Sequence, residues 1–587
     1  MPQKPIAHGD APQSVVTLRV IAAVIGSALL LAGCALPPPV RSMPSTTSPS
    51  LPSVKGYNLG DAVIVQSQFP EGSRFRNMPV RLNGLIAAPA DRSSPAPVVI
   101  ILHGTHPGCP MGEGEADLWP CAPEEERPNY SGFDYLAREL AARGYVVLVP
   151  NINAENTFGF GEPIFGERAA QLLNLHLQAL VRAADGGAND FGIALAGRAD
   201  LKRLALFGHS RGGELAWLLA NDPQFASGDR GYGPVAGVLQ IAAATSAADP
   251  WRSSAIPFAT LLAACDGDVV TQDGQFFFEG ARLAPDQTAW AASAWLEGAN
   301  HNNFNAFLRP EGLDLDGRSD CAERLAPEVQ RGWLVRYASD FLALLFNADA
   351  GAAARMGLDL EMPAPASLYG LPGRIAFLAP SADRQTLWLP ASEQEMTTHR
   401  LAGAVIADGV VTHFCPKGFY TPQTLPGHEV CRRHVVTIPG QPAHAVVAWE
   451  RRGGELRFAL PEDAGDFSGY VALSMRVAVD PASSLNPVAQ PQAFSVRLTD
   501  RQGNSASVQA DAAEPALGFP PGVLQVDVVF KEGFFTGRVP LTALRLPLSR
   551  FSGVNLSEIA EVALVFDQTD SGALFLADLE WVRRFRP

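Results

Sequence analysis

The residues best suited to covalent chemistry lie in the stretch GHSRG, residues 208–212. An apolar run at 204–207 leads into it and an amphipathic run follows, a pattern that predicts a strand, a sharp turn and a helix. A serine at such a turn, here Ser210, presents its hydroxyl as a nucleophile, and small neighbours leave room for the tight backbone. The same letters suit a simple capped turn, and a chain with 54 glycines can produce them by chance. The interpretation therefore depends on partners elsewhere in the sequence.

A serine nucleophile needs a general base and a carboxylate that orients the base. After a turn of this kind the acid precedes the histidine along the chain. Before the β-rich C-terminal part, the one histidine downstream of Ser210 is His301, in the loop-like stretch GANHNNF. Asp266 and Asp268 follow an apolar run between the two, although a turn rich in Asp and Gly is also an ordinary structural feature. The spacing predicts acyl transfer with one of these aspartates as the acid.

Acyl transfer also needs two backbone N–H groups aimed at the developing oxyanion. The residue after the nucleophile, Arg211, is predicted to supply the first. The second is expected from the loop that follows the apolar run PVVIIL, with Thr105 favoured over Gly104. His103 and His106 flank this loop, and we expect both to be structural.

The elements that must position these residues change character along the chain. Apolar runs alternate with helical patterns from 97 to 346, which predicts a doubly wound α/β domain with a mostly parallel sheet. After about residue 350, period-two alternation between turn residues predicts an antiparallel, all-β sandwich. We therefore expect a catalytic domain at 55–350, a linker at 351–372 and an accessory sandwich at 373–587. Because every predicted site residue precedes the linker, removing the chain from about 370 onward is expected to leave the site intact.

Together, Leu102-His103-Gly104, the GHSRGG stretch at 208–213, the strand-end aspartates and the GANH stretch at 298–301 resemble the α/β-hydrolase superfamily. The closer likeness is to its dienelactone-hydrolase, cutinase-like and platelet-activating-factor-acetylhydrolase-like branch, and it covers about residues 60–346. Some stretches also resemble large secreted bacterial hydrolases with a β-rich C-terminal region. The resemblance implies hydrolysis of a small or polymeric carboxylic ester through an acyl-enzyme, with no metal or organic cofactor. The last strands resemble jelly-roll domains that bind carbohydrate, which would make the sandwich a carbohydrate- or polymer-binding module.

The choice between the two aspartates draws on this resemblance. In the cutinase-like hydrolases the acid comes three residues after a small strand-end residue and is followed by apolar residues. Counted from Cys265, that position is Asp268, which Val269 and Val270 follow. Asp266 lies at the strand rim, whereas Asp268 lies past the turn. We therefore predict Asp268 as the acid and keep Asp266 as the alternative.

The N-terminus predicts export and a lipid anchor. A short apolar run at 20–31 behind a charged residue, followed by small residues, is typical of a secretory signal. The LAGC stretch that ends at Cys34 resembles the lipobox of bacterial lipoproteins, which implies removal of residues 1–33 and lipidation of Cys34. Residues 34–54 are rich in Pro and Ser and predict a tether. Cys34 is followed by Ala35 and not by Asp, which by resemblance to the sorting rules of two-membrane bacteria favours the outer membrane. The alternatives to a lipoprotein signal are an ordinary signal peptide and a membrane anchor.

Export would permit disulfides. Of the seven cysteines, six remain once Cys34 is set aside, and six cysteines allow 15 pairings. Proximity along the chain favours Cys109–Cys121 and Cys415–Cys431, which leaves Cys265–Cys321 as the third predicted pair. Histidines at 413, 428 and 434 lie close to the second pair and offer a zinc site instead. In an exported protein, the disulfide is the favoured interpretation.

Charge and loop composition narrow the function classes further. The formal net charge of -15 argues against a nucleic-acid partner. The long acidic loop at 106–131 predicts a lid, in which Trp119 either lines a substrate pocket or packs the loop onto the domain. The main alternatives to an esterase are an amide or peptide hydrolase and a surface-binding protein that keeps the fold without catalysis.

Overall fold

The part of the chain that is described begins after the predicted signal and most of the tether. The computed structural model describes residues 52–90, 94–112, 117–157, 159–162, 164, 166–225, 228–246, 248–308, 321, 323–418, 431, 436–526 and 533–586. Cys34 and the predictions made for it lie outside these residues. Among the helices of the described part, none combines the length and apolar character needed to span a bilayer.

Ten strands form one mixed sheet in the first part of the chain. They are β1 (Lys55–Val65), β2 (Asn77–Ala87), β3 (Ala96–Leu102), β4 (Val146–Pro150), β5 (Ala199–His209), β6 (Val235–Ile241), β7 (Phe258–Ala263), β8 (Ala291–Leu296), β9 (Ser367–Leu368) and β10 (Leu371–Leu378). Their order is β1-β2-β4-β3-β5-β6-β7-β8-β10-β9. The central run from β4 to β8 is parallel, and antiparallel strands extend it at both ends. Strands β3, β4, β7 and β8 are buried at every position, and apolar residues occupy nearly all of these positions.

Helices cover both faces of this sheet. Those in the described residues are α1 (Asp134–Ala142), α2 (Glu167–Ala184), α3 (Arg211–Ala220), α4 (Gly274–Leu283), α5 (Pro327–Asn347) and α6 (Ala350–Arg355). Helices α2, α3 and α4 share one apolar core with the sheet, and α1, α5 and α6 share a second. The arrangement agrees with the predicted α/β architecture, in which each helix buries its apolar stripe against the sheet.

The rest of the chain forms antiparallel sheets. The strands are β11 (Arg384–Trp388), β12 (Val405–Asp408), β13 (Val411–Cys415), β14 (His444–Trp449), β15 (Gly454–Ala459), β16 (Ala472–Val479), β17 (Phe494–Asp500), β18 (Ser505–Ala510), β19 (Leu524–Val526), β20 (Gly533–Phe535), β21 (Thr542–Pro547), β22 (Ile559–Phe566) and β23 (Gly572–Val582). One sheet has the order β13-β14-β23-β16-β21 with β11 beside β23, and the other has the order β12-β15-β22-β17-β18. Apolar side chains from both sheets share one core, as a packed pair of sheets requires.

The junction between the two parts differs from the expected linker at 351–372. That segment contains the end of α6, strand β9 and the first residues of β10. Strand β10 pairs with β8, from Gly373 opposite Leu296 to Leu378 opposite Ala291. Residues 371–378 therefore extend the first sheet instead of opening the sandwich, because they cover an edge of β8 that would otherwise leave backbone groups unpaired.

Buried charges join helix α4 to the sandwich. The guanidinium of Arg476 on β16 makes two bonds to the carboxylate of Glu279 on α4, at 2.7 and 3.0 Å, and a third to Asp578 on β23 at 2.9 Å. Arg282 adds a bond to Glu279 at 2.8 Å. Burial alone would raise the pKa of Glu279, but the two arginines lower it to about 2, so the carboxylate is ionised. Removing one partner from such a buried cluster costs about 3–5 kcal/mol.

Two of the three predicted disulfides are present. Cys109–Cys121 and Cys415–Cys431 are both bonded, and the second bond favours the disulfide interpretation over the zinc site. The predicted Cys265–Cys321 bridge is not formed, although both side chains are buried. The Cys321 thiol lies instead 3.7 Å from the carbonyl oxygen of Ala264.

Candidate active site

Ser210 occupies a strained turn between β5 and α3. Its φ of 56° and ψ of -129° lie in a region that residues other than glycine rarely adopt. The Ser210 N–H donates to the carbonyl of Ile241 at 2.9 Å, and the Ser210 carbonyl accepts the N–H of Gly213 at 2.9 Å. Neighbouring backbone therefore holds the strained conformation, a feature that concentrates at functional sites.

The glycines on either side of Ser210 are required by close backbone packing. A Cβ on Gly208 would lie 2.0 Å from the carbonyl oxygen of Gly212, and a Cβ on Gly212 would lie 2.5 Å from the carbonyl oxygens of Leu102 and His103. These neighbours are backbone atoms, which cannot move aside without disturbing β3 and α3. The G-x-S-x-G pattern thus reflects steric necessity in this fold.

Polar contacts fix the loop after β3 in one orientation. The Nε2 atom of His103 accepts the N–H of Ile152 at 3.0 Å, so the ring proton is on Nδ1, which donates to the carbonyl of Gly104 at 2.8 Å. Asn156 donates to the same carbonyl at 3.2 Å. Burial lowers the pKa of His103 to about 4, which keeps the ring neutral. Because C=O and N–H point in opposite directions across a trans peptide, the Thr105 N–H is directed away from His103.

The same loop lies against Ser210. A Cβ built on Gly104 would approach the Cβ of Ser210 to 2.8 Å and Nε2 of His106 to 3.4 Å. Burial lowers the pKa of His106 to about 3, and within the described residues its buried Nε2 has no hydrogen-bond partner. The loop that was predicted to carry the second oxyanion donor is therefore adjacent to Ser210, with a neutral imidazole beside it.

The loops after β7 and β8 bring a carboxylate and an imidazole together. Nδ1 of His301 donates to Oδ2 of Asp266 at 2.8 Å, and both side chains are almost fully buried. The other oxygen of Asp266 accepts the backbone N–H groups of Asp268 at 3.0 Å and Val269 at 2.6 Å. Three donors therefore fix the orientation of this carboxylate.

The prediction of Asp268 as the orienting acid is corrected by this geometry. Its carboxylate is 45% exposed and lies 3.7 Å from Nε2 of His301, the ring nitrogen that does not bond Asp266. The backbone N–H groups of the turn cap the Asp266 side chain and hold it on the inner side of the loop, which leaves Asp268 at the surface. Sequence reasoning placed the turn correctly but assigned the inward direction to the wrong residue.

Helix α5 and the acid-bearing loop hold the histidine loop in place. Gln330 on α5 accepts the Asn300 N–H at 2.9 Å and donates to the Asn300 carbonyl at 2.7 Å. The Asn300 side chain donates to the carbonyl of Cys265 at 3.3 Å, and the Cys265 N–H donates to Ala299 at 2.8 Å. These bonds tie the His301 and Asp266 loops together, and neither Asn300 nor Gln330 was identified from the sequence.

His209 links the nucleophile turn to the histidine loop. Its Nε2–H donates to the carbonyl of His301 at 3.1 Å, and the two rings lie 4.7 Å apart. Burial, followed by the charge of neighbouring histidines, lowers the pKa of His209 well below its ordinary value, so the ring stays neutral. Its position next to Ser210 was the one sequence signal that pointed to this role.

A buried carboxyl group also lies near the nucleophile turn. Burial raises the pKa of Glu155 to about 7, against the opposing influence of Arg168 and Arg211, and its Oε1 accepts the Gly166 N–H at 3.2 Å. The Arg168 guanidinium is buried and donates to backbone carbonyls of the surrounding loop, including that of Thr157 at 2.6 Å. Sequence reasoning missed both residues, because their partners are distant in the chain.

The loop at 106–131 packs onto the domain through its tryptophan. The Trp119 indole donates to the carbonyl of Pro79 at 3.0 Å and is 5% exposed, and the guanidinium of Arg81 lies 5.8 Å from its ring centre. Of the two interpretations of Trp119, the packing role is the one that the structure supports.

Comparison of the chain with models of known protein families gave no match, and neither did comparison with curated proteins.

Proposed function

We propose that this protein is a serine hydrolase that cleaves carboxylic esters through an acyl-enzyme. The observation that carries the proposal is the buried hydrogen bond of 2.8 Å between Asp266 and His301. It lies on the loops after β7 and β8, and Ser210 lies after β5. Because the carboxyl ends of parallel strands open at one edge of a sheet, these three loops belong to one crevice.

In the proposed reaction, the Ser210 hydroxyl attacks the carbonyl carbon of the ester while Nε2 of His301 accepts its proton. Collapse of the tetrahedral intermediate breaks the bond to the alkoxy group, which leaves as an alcohol with the proton returned by His301. Water then attacks the acyl-enzyme with His301 again as the base, which releases the acid and restores Ser210. Asp266 holds the imidazole with Nδ1 protonated and stabilises the imidazolium.

The N–H groups of Arg211 and Thr105 are proposed to stabilise the oxyanion. Arg211 begins α3, where backbone N–H groups lack intrahelical acceptors. The Thr105 N–H is turned away from His103 because two donors hold the Gly104 carbonyl. Gly104 lies next to Ser210 and leaves the space a side chain would fill.

The strand order and the helices on both faces support assignment to the α/β-hydrolase fold that the motifs resemble. The lipid anchor at Cys34 and location in the outer membrane, inferred from the sequence, belong to the same proposal. A neutral ester is the favoured substrate class, because the exposed carboxylate of Asp268 lies 3.7 Å from Nε2 of His301 and would repel an anion.

Covalent labelling tests the nucleophile directly. We expect a fluorophosphonate to modify wild-type protein at Ser210, with loss of p-nitrophenyl ester turnover in proportion to labelling. Ser210→Ala should show neither labelling nor turnover, whereas Ser254→Ala, which alters a buried serine bonded to Ile256, should retain both. A folded wild-type protein that is not labelled, or turnover that persists in Ser210→Ala, would contradict the proposal. Peptide and amide substrates in the same screen test the alternative hydrolase class.

A further inference from the structure

The side chain of Arg538, from the C-terminal part of the chain, contacts the loop that carries Asp266. We define this acid loop as residues 264–270. Arg538 is 2% exposed, and each nitrogen of its guanidinium donates to a carbonyl of the acid loop. Nε bonds Val270 at 2.9 Å, Nη1 bonds Ala264 at 2.8 Å and Nη2 bonds Asp266 at 2.6 Å. One side chain thus contacts both ends of the loop and the backbone of the aspartate between them.

These carbonyls need donors from outside the sheet. The acid loop begins where β7 ends; the N–H of Ala264 still donates to Leu296 of β8 at 3.1 Å, and the regular strand pairing stops there. Gln272 donates to the carbonyl of Ala263 at 2.6 Å and Asn300 to that of Cys265 at 3.3 Å, both from nearby loops. A buried carbonyl without a donor carries a desolvation penalty, and the planar fork of an arginine can satisfy several at once.

The contact with Asp266 bears on the direction of its carboxylate. The Asp266 N–H donates to the carbonyl of Ala263 at 3.1 Å, and the Asp266 carbonyl accepts from Arg538. With both ends of the residue held, the side chain leaves the backbone in a fixed direction toward His301. Movement of this carbonyl would rotate the carboxylate away from Nδ1 of the imidazole.

Arg538 is itself held by a small core of the sandwich. The backbone of Arg538 pairs with that of Thr437 in an isolated parallel β-bridge, in which the N–H of Val539 donates to the carbonyl of Thr437 at 3.0 Å. Val539 packs in a cluster that contains the Cys415–Cys431 disulfide and Ile438. The backbone that carries the Arg538 side chain is therefore packed against a cluster that a disulfide stabilises.

We propose that Arg538 is a positioning residue through which the sandwich sets the orientation of Asp266 toward His301. The effect of Arg538 on catalysis rests on the proposed function. Its effect on the hydrogen bond between Asp266 and His301 does not depend on that function. The sandwich would then complete the active site, and the catalytic part of the chain would depend on it for the placement of its acid.

A matched control exists in Arg545, a second buried arginine of the sandwich. Its Nη1 donates to the backbone carbonyl of Gly357 at 2.6 Å, which lies in the segment after α6. Arg545 is 1% exposed, so its replacement removes a comparable buried contact between the two parts of the chain. Its hydrogen bonds go to the carbonyls of Gly357 and Asp359, which both lie outside the acid loop.

The first measurement is the low-field proton resonance of the His301 Nδ1–H in the full-length protein, identified by its loss in Asp266→Asn. We expect Arg538→Ala to shift or broaden it and Arg545→Ala to leave it unchanged. This readout needs no substrate, so it tests the positioning even if the chain cleaves no ester. An unchanged resonance in folded Arg538→Ala would overturn the proposal.

The second measurement is ester turnover. Arg538→Ala should lower kcat by about 100-fold with KM little changed, since misplacement of a catalytic group by about 1 Å has effects of that size. Millimolar methylguanidinium should restore part of the rate in Arg538→Ala but not in Asp266→Asn. Arg538→Lys, which keeps the charge, should give an intermediate kcat and resonance if the alanine variant does not fold. If Arg538→Ala had the same kcat as Arg545→Ala, Arg538 would have no positioning role. The wild-type resonance and kcat in Arg538→Lys would also overturn that role.

Discussion

The nucleophile turn and the acid loop are supported in different ways. Ser210 takes its backbone bonds from Ile241 and Gly213, and its packing from glycines at 208 and 212, all within the central strands and the helix that follows. The acid loop takes three bonds from Arg538, a residue 272 positions beyond Asp266 in the chain. The two halves of the proposed site therefore depend on contacts of very different sequence separation.

The difference shows which part of an active site the neighbouring sequence can specify. The turn at Ser210 requires room for close backbone packing, and the glycines that provide this room lie within the motif itself. The acid loop is polar, and its carbonyls require donors that the chain supplies from another layer of the fold. Variants that remove distant support should therefore affect the acid before the nucleophile.

Removal of the sandwich is the largest change that tests this comparison. Truncation before residue 370 was expected from the sequence to leave the site intact. The structure predicts the opposite, because the cut removes β10 from the edge of β8 and takes Arg476 away from buried Glu279. We expect no folded, fluorophosphonate-reactive protein, as measured by circular dichroism and labelling.

A second truncation after residue 379 is a useful control, since it keeps β10 but removes Arg476 and Arg538. It should also fail, because the acid loop loses the three donors of Arg538 and helix α4 loses the contacts that its Glu279 and Arg282 make with the sandwich. A truncated protein that folds and turns over small esters at the wild-type rate would show that the sandwich is dispensable, and would remove the distinction between the two regions.

Exchange of each aspartate for asparagine sharpens the comparison inside the acid loop. Asp266→Asn should lower kcat by up to about four orders of magnitude, because the amide no longer holds the imidazole in the required tautomer. Asp268→Asn should change it by less than about tenfold, because this carboxylate is half exposed and lies beyond hydrogen-bond distance of Nε2 at 3.7 Å. Steady-state kinetics on both folded variants measures the two losses in kcat. A larger loss in Asp268→Asn than in Asp266→Asn would assign the role of orienting acid to Asp268.

The smallest predicted effect concerns stability on the nucleophile side, where Glu155 lies. In the folded state, burial raises the pKa of Glu155 from its ordinary value of 4.5 to about 7. The free energy of unfolding should therefore fall as pH rises through that interval, by up to about 3 kcal/mol. Glu155→Gln keeps an acceptor for the Gly166 N–H and should remove this loss.

Denaturant unfolding at the two ends of the interval measures the effect. Below about pH 4 the variant and the wild type should have similar stability, and above about pH 7 the variant should be more stable. Glu125→Gln, on the exposed surface, keeps Glu155 and should therefore show the same fall in stability as the wild type. Equal stability of Glu155→Gln and wild type across the range would mean that Glu155 is ionised in the folded state at little cost.

Much of the first sheet was predictable because its central strands are mostly apolar and alternate along the chain with helical patterns. The strand-turn-helix around Ser210 and the loop position of His301 followed from the same patterns. The junction was not predictable, since the short alternating run of β10 suits either sheet and only the open edge of β8 selects one. Likewise, Cys265 and Cys321 were expected to pair because they remained once the other four cysteines were paired, and the structure does not form that bridge.

The sequence by itself determined the chemistry that is available: a serine between close-packed glycines, a histidine in a later loop, and two aspartates between them. Only the tertiary structure decided which carboxylate meets the imidazole, because two residues in one turn differ in direction and not in type. It also decided that an arginine of the sandwich supports that carboxylate. The physical reason is that backbone carbonyls outside a sheet find their donors through packing of distant segments, which no local pattern of residues encodes.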